Sequence, residues 1–90
     1  MKIEHKGLNV TADVNKDFTQ TQLETYQETL LEKSKEYKSG AAYNRVMVEA
    51  AQEAKILTGV EGDLTRPPVV KWLTLKVISA MDEATTIPPE

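Results

Sequence analysis

The segment from residue 67 to residue 85 constrains this chain most, because apolar residues surround most of the helix that it predicts. Pro67 and Pro68 suit the first turn of a helix, where a missing N–H leaves no hydrogen bond unmade. The apolar positions that follow are Val69, Val70, Trp72, Leu73, Leu75, Val77, Ile78 and Met81. A chain of 90 residues without cysteine depends on one small hydrophobic core and has no disulfide to support it. This helix is therefore either central in that core or carries a second apolar surface for a partner.

A complete helix start signal stands at Thr19. Gln22 follows three residues later, as in a capping box, and Phe18 and Leu23 have the positions of a hydrophobic staple. The apolar residues Leu23, Tyr26, Leu30, Leu31 and Tyr37 then recur at helical spacing. Gly40 is a natural helix stop. The pattern predicts a first helix over residues 19–38.

A second helix is predicted over residues 41–58. Its apolar face contains Tyr43, Val46, Met47, Ala50, Ala54 and Leu57, and Gly59 supplies a left-handed stop. Residues 59–66 are expected to form a loop before the third helix over residues 67–85. Since no proline separates the first two helices and a helical glycine costs only about 1 kcal/mol, one long bent helix stays open as an alternative.

Residues 1–16 alternate between apolar and polar positions, which is typical of a half-buried strand. The inward-facing residues of this pattern have odd numbers before Gly7 and even numbers after it, and this glycine permits a turn or bulge. We expect one bent strand or a short hairpin here, and an extended tail over residues 86–90. The fold class that follows is mainly α: a small three-helix bundle with a short N-terminal β-strand or hairpin, forming a single domain over residues 1–90.

No group of residues predicts catalysis. His5 is the only histidine, and no catalytic or metal-binding motif surrounds it on its terminal strand. Glu49 and Glu53 are one helical turn apart, but a di-iron or manganese site also needs Glu-x-x-His elements, which are absent here. We therefore expect no enzymatic activity, no metal and no cofactor.

Protein–protein interaction is the function that these features favour. Trp72, Leu75 and Val69 on the third helix are the candidate anchors for self-association or for a protein partner, with whichever of Trp72 and Leu75 lies outermost as the main one. Glu24, Glu28, Glu32 and Glu36 recur every four residues and form an acidic line, which predicts either a docking stripe for a basic partner or a solvated helix face. Glu32 is also placed to pair with Lys35.

The net charge of -3 and pI of about 5.2 disfavour nucleic acid as a partner. A helical DNA-associated regulator and an acidic inhibitor that mimics nucleic acid stay open as alternatives. The sequence contains no run of roughly twenty mostly apolar residues, so we expect no membrane partner. The lack of cysteine fits a reducing, cytoplasmic location.

The chain combines the strand-like start MKIEHKGLNVTADV, the capped helix in DFTQTQLETYQETLLEK and a final amphipathic helix. This layout resembles small accessory proteins of tailed bacteriophages and prophages, of the tail-assembly chaperone or morphogenesis type. It implies a role as an adaptor, assembly chaperone or structural subunit and supplies no catalytic residues.

The start signal at Thr19 gives the first testable prediction. Thr19→Ala removes the capping oxygen and should lower the free energy of unfolding by roughly 0.5–2 kcal/mol. Urea unfolding monitored by circular dichroism measures this change. Unfolding curves that overlay those of the wild type in midpoint and slope would show that Thr19 does not cap the helix.

Overall fold

Three helices and a three-stranded antiparallel sheet form the computed structural model, which describes residues 1–89. The elements in chain order are β1 (Lys2–His5), β2 (Val10–Val14), α1 (Gln20–Ser34), α2 (Gly40–Glu53), β3 (Leu57–Glu61) and α3 (Pro67–Thr85). A 3-10 turn, Lys6–Leu8, joins β1 to β2, and the strand order in the sheet is β1-β2-β3. The prediction of a mainly α three-helix bundle is therefore wrong, because a third strand makes this a small α+β fold.

The third strand occupies residues that the sequence pattern assigned to the end of the second helix and to a loop. The helix α2 ends earlier, at Glu53, and the chain turns at Lys55, whose φ is 60°. The N–H of Ile56 donates to the carbonyl of Ala51 at 2.9 Å, and the N–H of Lys55 donates to the carbonyl of Gln52 at 3.1 Å. These two bonds define a Schellman motif. It directs the chain into β3 where the predicted helix would have continued.

Gly59 has the left-handed conformation expected of it, but it lies inside a strand. Thr11 pairs with Glu61 and Asp13 pairs with Thr58, so β3 contains one more residue than β2 between these pairs. Gly59 has a φ of 59°, as in a bulge that begins with a left-handed glycine. The expectation that Gly59 ends the second helix is thus wrong, since its conformation serves the sheet.

The junction of the first two helices also differs from the prediction. The helix α1 ends at Ser34, four residues before the expected end at residue 38, and Gly40 is the first residue of α2. The Oγ of Ser39 accepts the N–H of Ala42 at 3.2 Å and so caps α2. The alternative of one long bent helix is therefore wrong.

Three other expectations are confirmed. The N–H of Gln22 donates to the Oγ1 of Thr19 at 3.2 Å, and the Oε1 of Gln22 accepts the N–H of Thr19 at 2.9 Å, which completes the capping box. The N-terminal residues form a hairpin of β1 and β2, and α3 has the expected bounds, Pro67–Thr85. Residues 86–89 have no regular secondary structure, and Glu90, the end of the predicted tail, lies outside the described residues.

The core lies between one face of the sheet and the helices, with α2 packed against both α1 and α3. In β2 the buried residues Val10, Ala12 and Val14 alternate with Thr11 and Asp13, which face outward. Buried residues from the other elements complete the core: Tyr26, Val46, Val48, Ala50, Ala51, Ala54, Ile56, Leu57, Val69, Leu73, Val77 and Ala80. Because the sheet covers α3 on one side and α2 covers it on another, most of the apolar circumference of α3 is buried.

The two left-handed positions predict opposite effects of substitution. An L-residue in this region costs roughly 1–2 kcal/mol, which glycine avoids at an entropic cost of roughly 0.5–1 kcal/mol. Lys55→Gly should therefore raise the free energy of unfolding by up to about 1 kcal/mol, and Gly59→Ala should lower it by about 1 kcal/mol. Urea midpoints at constant slope measure both changes, with Lys55→Ala as the control for loss of the Lys55 side chain. Shifts of both variants in the same direction would contradict this account.

Alkaline pH should destabilise the fold through Tyr26. Burial, with a smaller contribution from repulsion by Tyr43, raises the pKa of Tyr26 from 10.0 to about 12. The raised pKa means that the folded state favours the neutral phenol. The contribution of Tyr26 to the free energy of unfolding is therefore complete below pH 10 and is lost as the pH rises toward 12. Urea unfolding at a series of pH values should show this decline, and Tyr26→Phe should reduce it. An equally steep decline in Tyr26→Phe would rule out Tyr26 as the cause.

Candidate interaction surface

The outward side of α3 carries two large apolar residues in water. Leu75 is 52% exposed and Ile78 is 46% exposed. Lys71 lies one turn before Leu75, and Asp82 lies one turn after Ile78, and both are exposed. The four residues follow a spacing of four, three and four along one side of the helix. We call them the α3 outer face, which has an apolar centre between two opposite charges.

The opposite side of α3 is part of the core. Val69, Leu73, Val77 and Ala80 are each at most 1% exposed. Thr74 is buried beside them, with its Oγ1 2.8 Å from the carbonyl of Val70 and 3.1 Å from that of Asn44. Val69, predicted as a partner-binding residue, is therefore inaccessible to a partner, because the sheet and α2 enclose it together with the rest of this side.

Trp72 lies between these two sides and connects α3 to the first strand. Its ring is half-buried and meets the ring of His5 edge-on, with 5.7 Å between the centroids and 85° between the planes. The Nζ of Lys76 is 5.5 Å from the centroid of the Trp72 ring, within cation–π range. His5 also accepts the N–H of Leu8 on its Nδ1 at 3.1 Å. Trp72 thus has partners within the chain, and Leu75 is the outermost of the two predicted anchors.

The acidic line is shorter than its spacing predicts. Glu24, Glu28 and Glu32 are exposed on α1, but Glu36 follows the end of the helix at Ser34 and leaves the line. The predicted pair of Glu32 with Lys35 is confirmed, with Nζ and Oε2 3.1 Å apart. These carboxylates are solvated, and their use as a docking stripe stays a prediction.

Open grooves also lie on the surface of the described residues. One, of about 500 Å³, separates the first turns of α2 and α3; it includes Ala42, Pro67 and Val70 and reaches Lys71 of the α3 outer face. Another, of about 600 Å³, lies beside Gly62 and Asp63, where hydrogen bonds from the side chain and backbone of Thr65 lower the pKa of Asp63. Within residues 1–89 there is no cluster of three or more histidine, aspartate or glutamate side chains that could hold a metal ion.

Ile78 is the apolar residue of the α3 outer face that the sequence does not single out as an anchor, because it is one of many apolar positions that surround most of the helix. The spacing of Val69, Leu73, Val77 and Ala80 contains the missing signal. If these four residues mark the side of α3 that faces the core, Ile78 lies about 100° around the helix from Val77 and therefore outside that side. The apolar composition of α3 alone does not separate the two sides.

Comparison with protein-family models, with curated proteins and with solved structures gives no match. The function of the α3 outer face is accordingly inferred from its geometry. None of the helices in residues 1–89 has both the length and the apolar character needed to cross a membrane.

Proposed function

We propose that this chain is a non-catalytic protein–protein interaction module that binds its partner through the α3 outer face. The observation that carries the proposal is the exposure of Leu75 and Ile78, at 52% and 46%, on a helix whose other side is fully packed. Burial of apolar surface contributes about 25 cal/mol per Å² removed from water. Two large aliphatic side chains on one side of a helix therefore provide a driving force for association.

The flanking charges and the rigidity of α3 support the same proposal. Lys71 and Asp82 are exposed at the two ends of the apolar pair, so a partner with complementary charges is favoured in one orientation. Because Val69, Leu73 and Val77 fix the helix to the core, binding does not have to order it first. A preformed surface loses less conformational entropy on association than a flexible one does.

Small adaptor, assembly chaperone and structural subunit are the roles that we propose for such a surface, in the cytoplasm as the lack of cysteine suggests. The tail-assembly role implied by the resemblance to phage accessory proteins stays a prediction. A helix-turn-helix DNA regulator is disfavoured, because β3 lies between α2 and α3, where that motif has a turn of three to four residues. The acidic inhibitor that mimics nucleic acid stays an untested alternative. The line of carboxylates that it depends on is shorter than predicted, because Glu36 lies outside α1.

Glutamate substitutions on the α3 outer face test the proposal. Leu75→Glu and Ile78→Glu place a charge at the centre of the apolar pair and should weaken partner binding at least tenfold, as expected for residues at the centre of an interface. Since both side chains are about half exposed, the fold should persist, and circular dichroism checks this. The measurements are capture from an extract of the native host and sedimentation over a wide concentration range.

Leu31→Glu is the matched control, because Leu31 is a helical leucine that is 68% exposed on α1. This variant introduces the same leucine-to-glutamate change at a site outside the α3 outer face and should leave partner binding unchanged. A wild-type chain that stays monomeric and captures nothing, or a loss of binding that Leu31→Glu shares, would refute the proposed function.

A further inference from the structure

The outer edge of β1 presents backbone groups that no other strand of residues 1–89 uses. Met1 and Val14 exchange two hydrogen bonds, from the N–H of Val14 to the carbonyl of Met1 at 2.8 Å and from the ammonium of Met1 to the carbonyl of Val14 at 2.7 Å. Residues of an antiparallel pair alternate between bonded and non-bonded positions. Ile3 and His5 therefore direct their backbone groups toward β2, whereas Lys2 and Glu4 direct theirs away from it.

The side chains of this edge divide between the two faces of the sheet. Ile3 pairs with the buried Ala12 and faces the core, whereas Lys2 and Glu4 pair with Asp13 and Thr11 on the outer face. Both Lys2 and Glu4 are exposed, and neither forms an ion pair with another of the described residues. The residues with free backbone groups are thus the ones with unpaired, opposite charges.

The other edge of the sheet is less suited to accept a strand. The bulge at Gly59 interrupts the regular spacing of β3, and a bulge twists an edge strand away from further pairing. The edge of β1 has an unbroken register from Lys2 to His5. Regular strand addition is therefore favoured at β1.

We propose that β1 pairs with β1 of a second copy of this chain, antiparallel and about a two-fold axis at Ile3. In this register Lys2 lies opposite Glu4 of the partner subunit, and Glu4 lies opposite Lys2 of the partner subunit. Each such pair exchanges two backbone hydrogen bonds. The two sheets join into one six-stranded antiparallel sheet, with an ion pair above each bonded pair on its outer face.

Charge selects this register among the symmetric possibilities. Only Lys2 and Glu4 have free backbone groups in β1, so a two-fold axis can place Lys2 opposite Lys2, Glu4 opposite Glu4, or Lys2 opposite Glu4. The first two arrangements set like charges directly across the strands, which is destabilising, whereas opposite charges directly across the strands are stabilising. The third arrangement alone pairs opposite charges twice. It is also the one that places Ile3 opposite Ile3 of the partner subunit on the inner face.

The small size of the contact between the two β1 strands determines how strong a dimer is expected. A four-residue edge forms about four backbone hydrogen bonds across the axis and buries less surface than the roughly 1,200 Å² of a stable interface. Within the chain, Trp72 of α3 meets His5 at the end of β1. We therefore expect a reversible dimer whose population rises with protein concentration and falls with salt, because its ion pairs are exposed.

Charge reversal tests the register directly. Lys2→Glu and Glu4→Lys each place like charges opposite one another in the homodimer, and each should raise the dimer dissociation constant at least tenfold in sedimentation equilibrium. The double variant, Lys2→Glu with Glu4→Lys, restores both opposite pairs and should dimerise within a few-fold of the wild type. An equimolar mixture of the two single variants should also dimerise, because each chain then complements the other. Rescue by mixing separates loss of pairing from damage to the fold.

A covalent test uses the natural absence of cysteine. Facing residues at a non-bonded antiparallel position have Cα atoms about 4.5 Å apart, within the range that a disulfide spans. Ile3→Cys should therefore form a disulfide-linked dimer on mild oxidation. Thr58→Cys, at an exposed position on the opposite edge strand, is the matched control and should cross-link at least tenfold more slowly.

Three outcomes would overturn the inference: a wild-type chain that stays monomeric at millimolar concentration, single variants that dimerise as the wild type does, or equal cross-linking of both cysteine variants. These experiments can support or refute the β1 pairing whether or not the α3 outer face binds a partner. Dimerisation abolished by Leu75→Glu and untouched by Lys2→Glu would place the second copy on the α3 outer face, refuting this inference and supporting that function. Loss in Lys2→Glu that mixing rescues supports the β1 pairing even where the α3 variants bind normally.

Discussion

The turn that ends α2 is the constraint on which the rest of this fold depends. Its two Schellman hydrogen bonds stop the helix at Glu53 and reverse the chain at Lys55, so that Ile56 and Leu57 enter the core. The carbonyl of Ile56 then accepts the N–H of Asn15 at 2.9 Å, which starts the pairing of β3 with β2. The side chain of Gln22, at the start of α1, donates to the carbonyl of Ala54 at 3.2 Å. One turn therefore connects the first helix, the second helix and the sheet.

The sheet that follows from this turn explains why α3 is so apolar. A platform of two helices would leave much of the apolar surface of α3 in water, which is why the sequence leaves open either a central helix or a second apolar surface for a partner. The structure adds a sheet to the platform, which buries Val69 and Val77. Only Leu75 and Ile78 remain exposed among the large apolar residues of α3. The surface proposed for a partner is therefore narrower than composition suggests and is confined to one side of the helix.

The features that sequence reasoning recovered are those encoded by local chemistry. Thr19 with Gln22 defines a helix start, and Pro67 defines another, because capping and the missing N–H of proline act within a few residues. The end of α2 was missed because a lysine occupies the left-handed position, where glycine is the usual signal. The third strand is short and interrupted by Gly59, so its alternation is weak. The sequence places Leu75 among the candidate outermost residues, and its exposure bears this out, whereas Val69 could not be assigned to the core until the packing of α3 was known.

The two proposed surfaces face different directions, and this affects how strongly a dimer can bind a partner with repeated sites. The α3 outer face lies opposite the core residues Leu73 and Val77, which pack toward the sheet and α2, whereas the β1 edge extends the sheet sideways. If two copies pair through β1 as proposed, the contact forms at the sheet edge and not on the α3 outer face. A dimer with two equivalent faces binds a partner that carries repeated sites with higher avidity than one chain does, because the second contact becomes intramolecular.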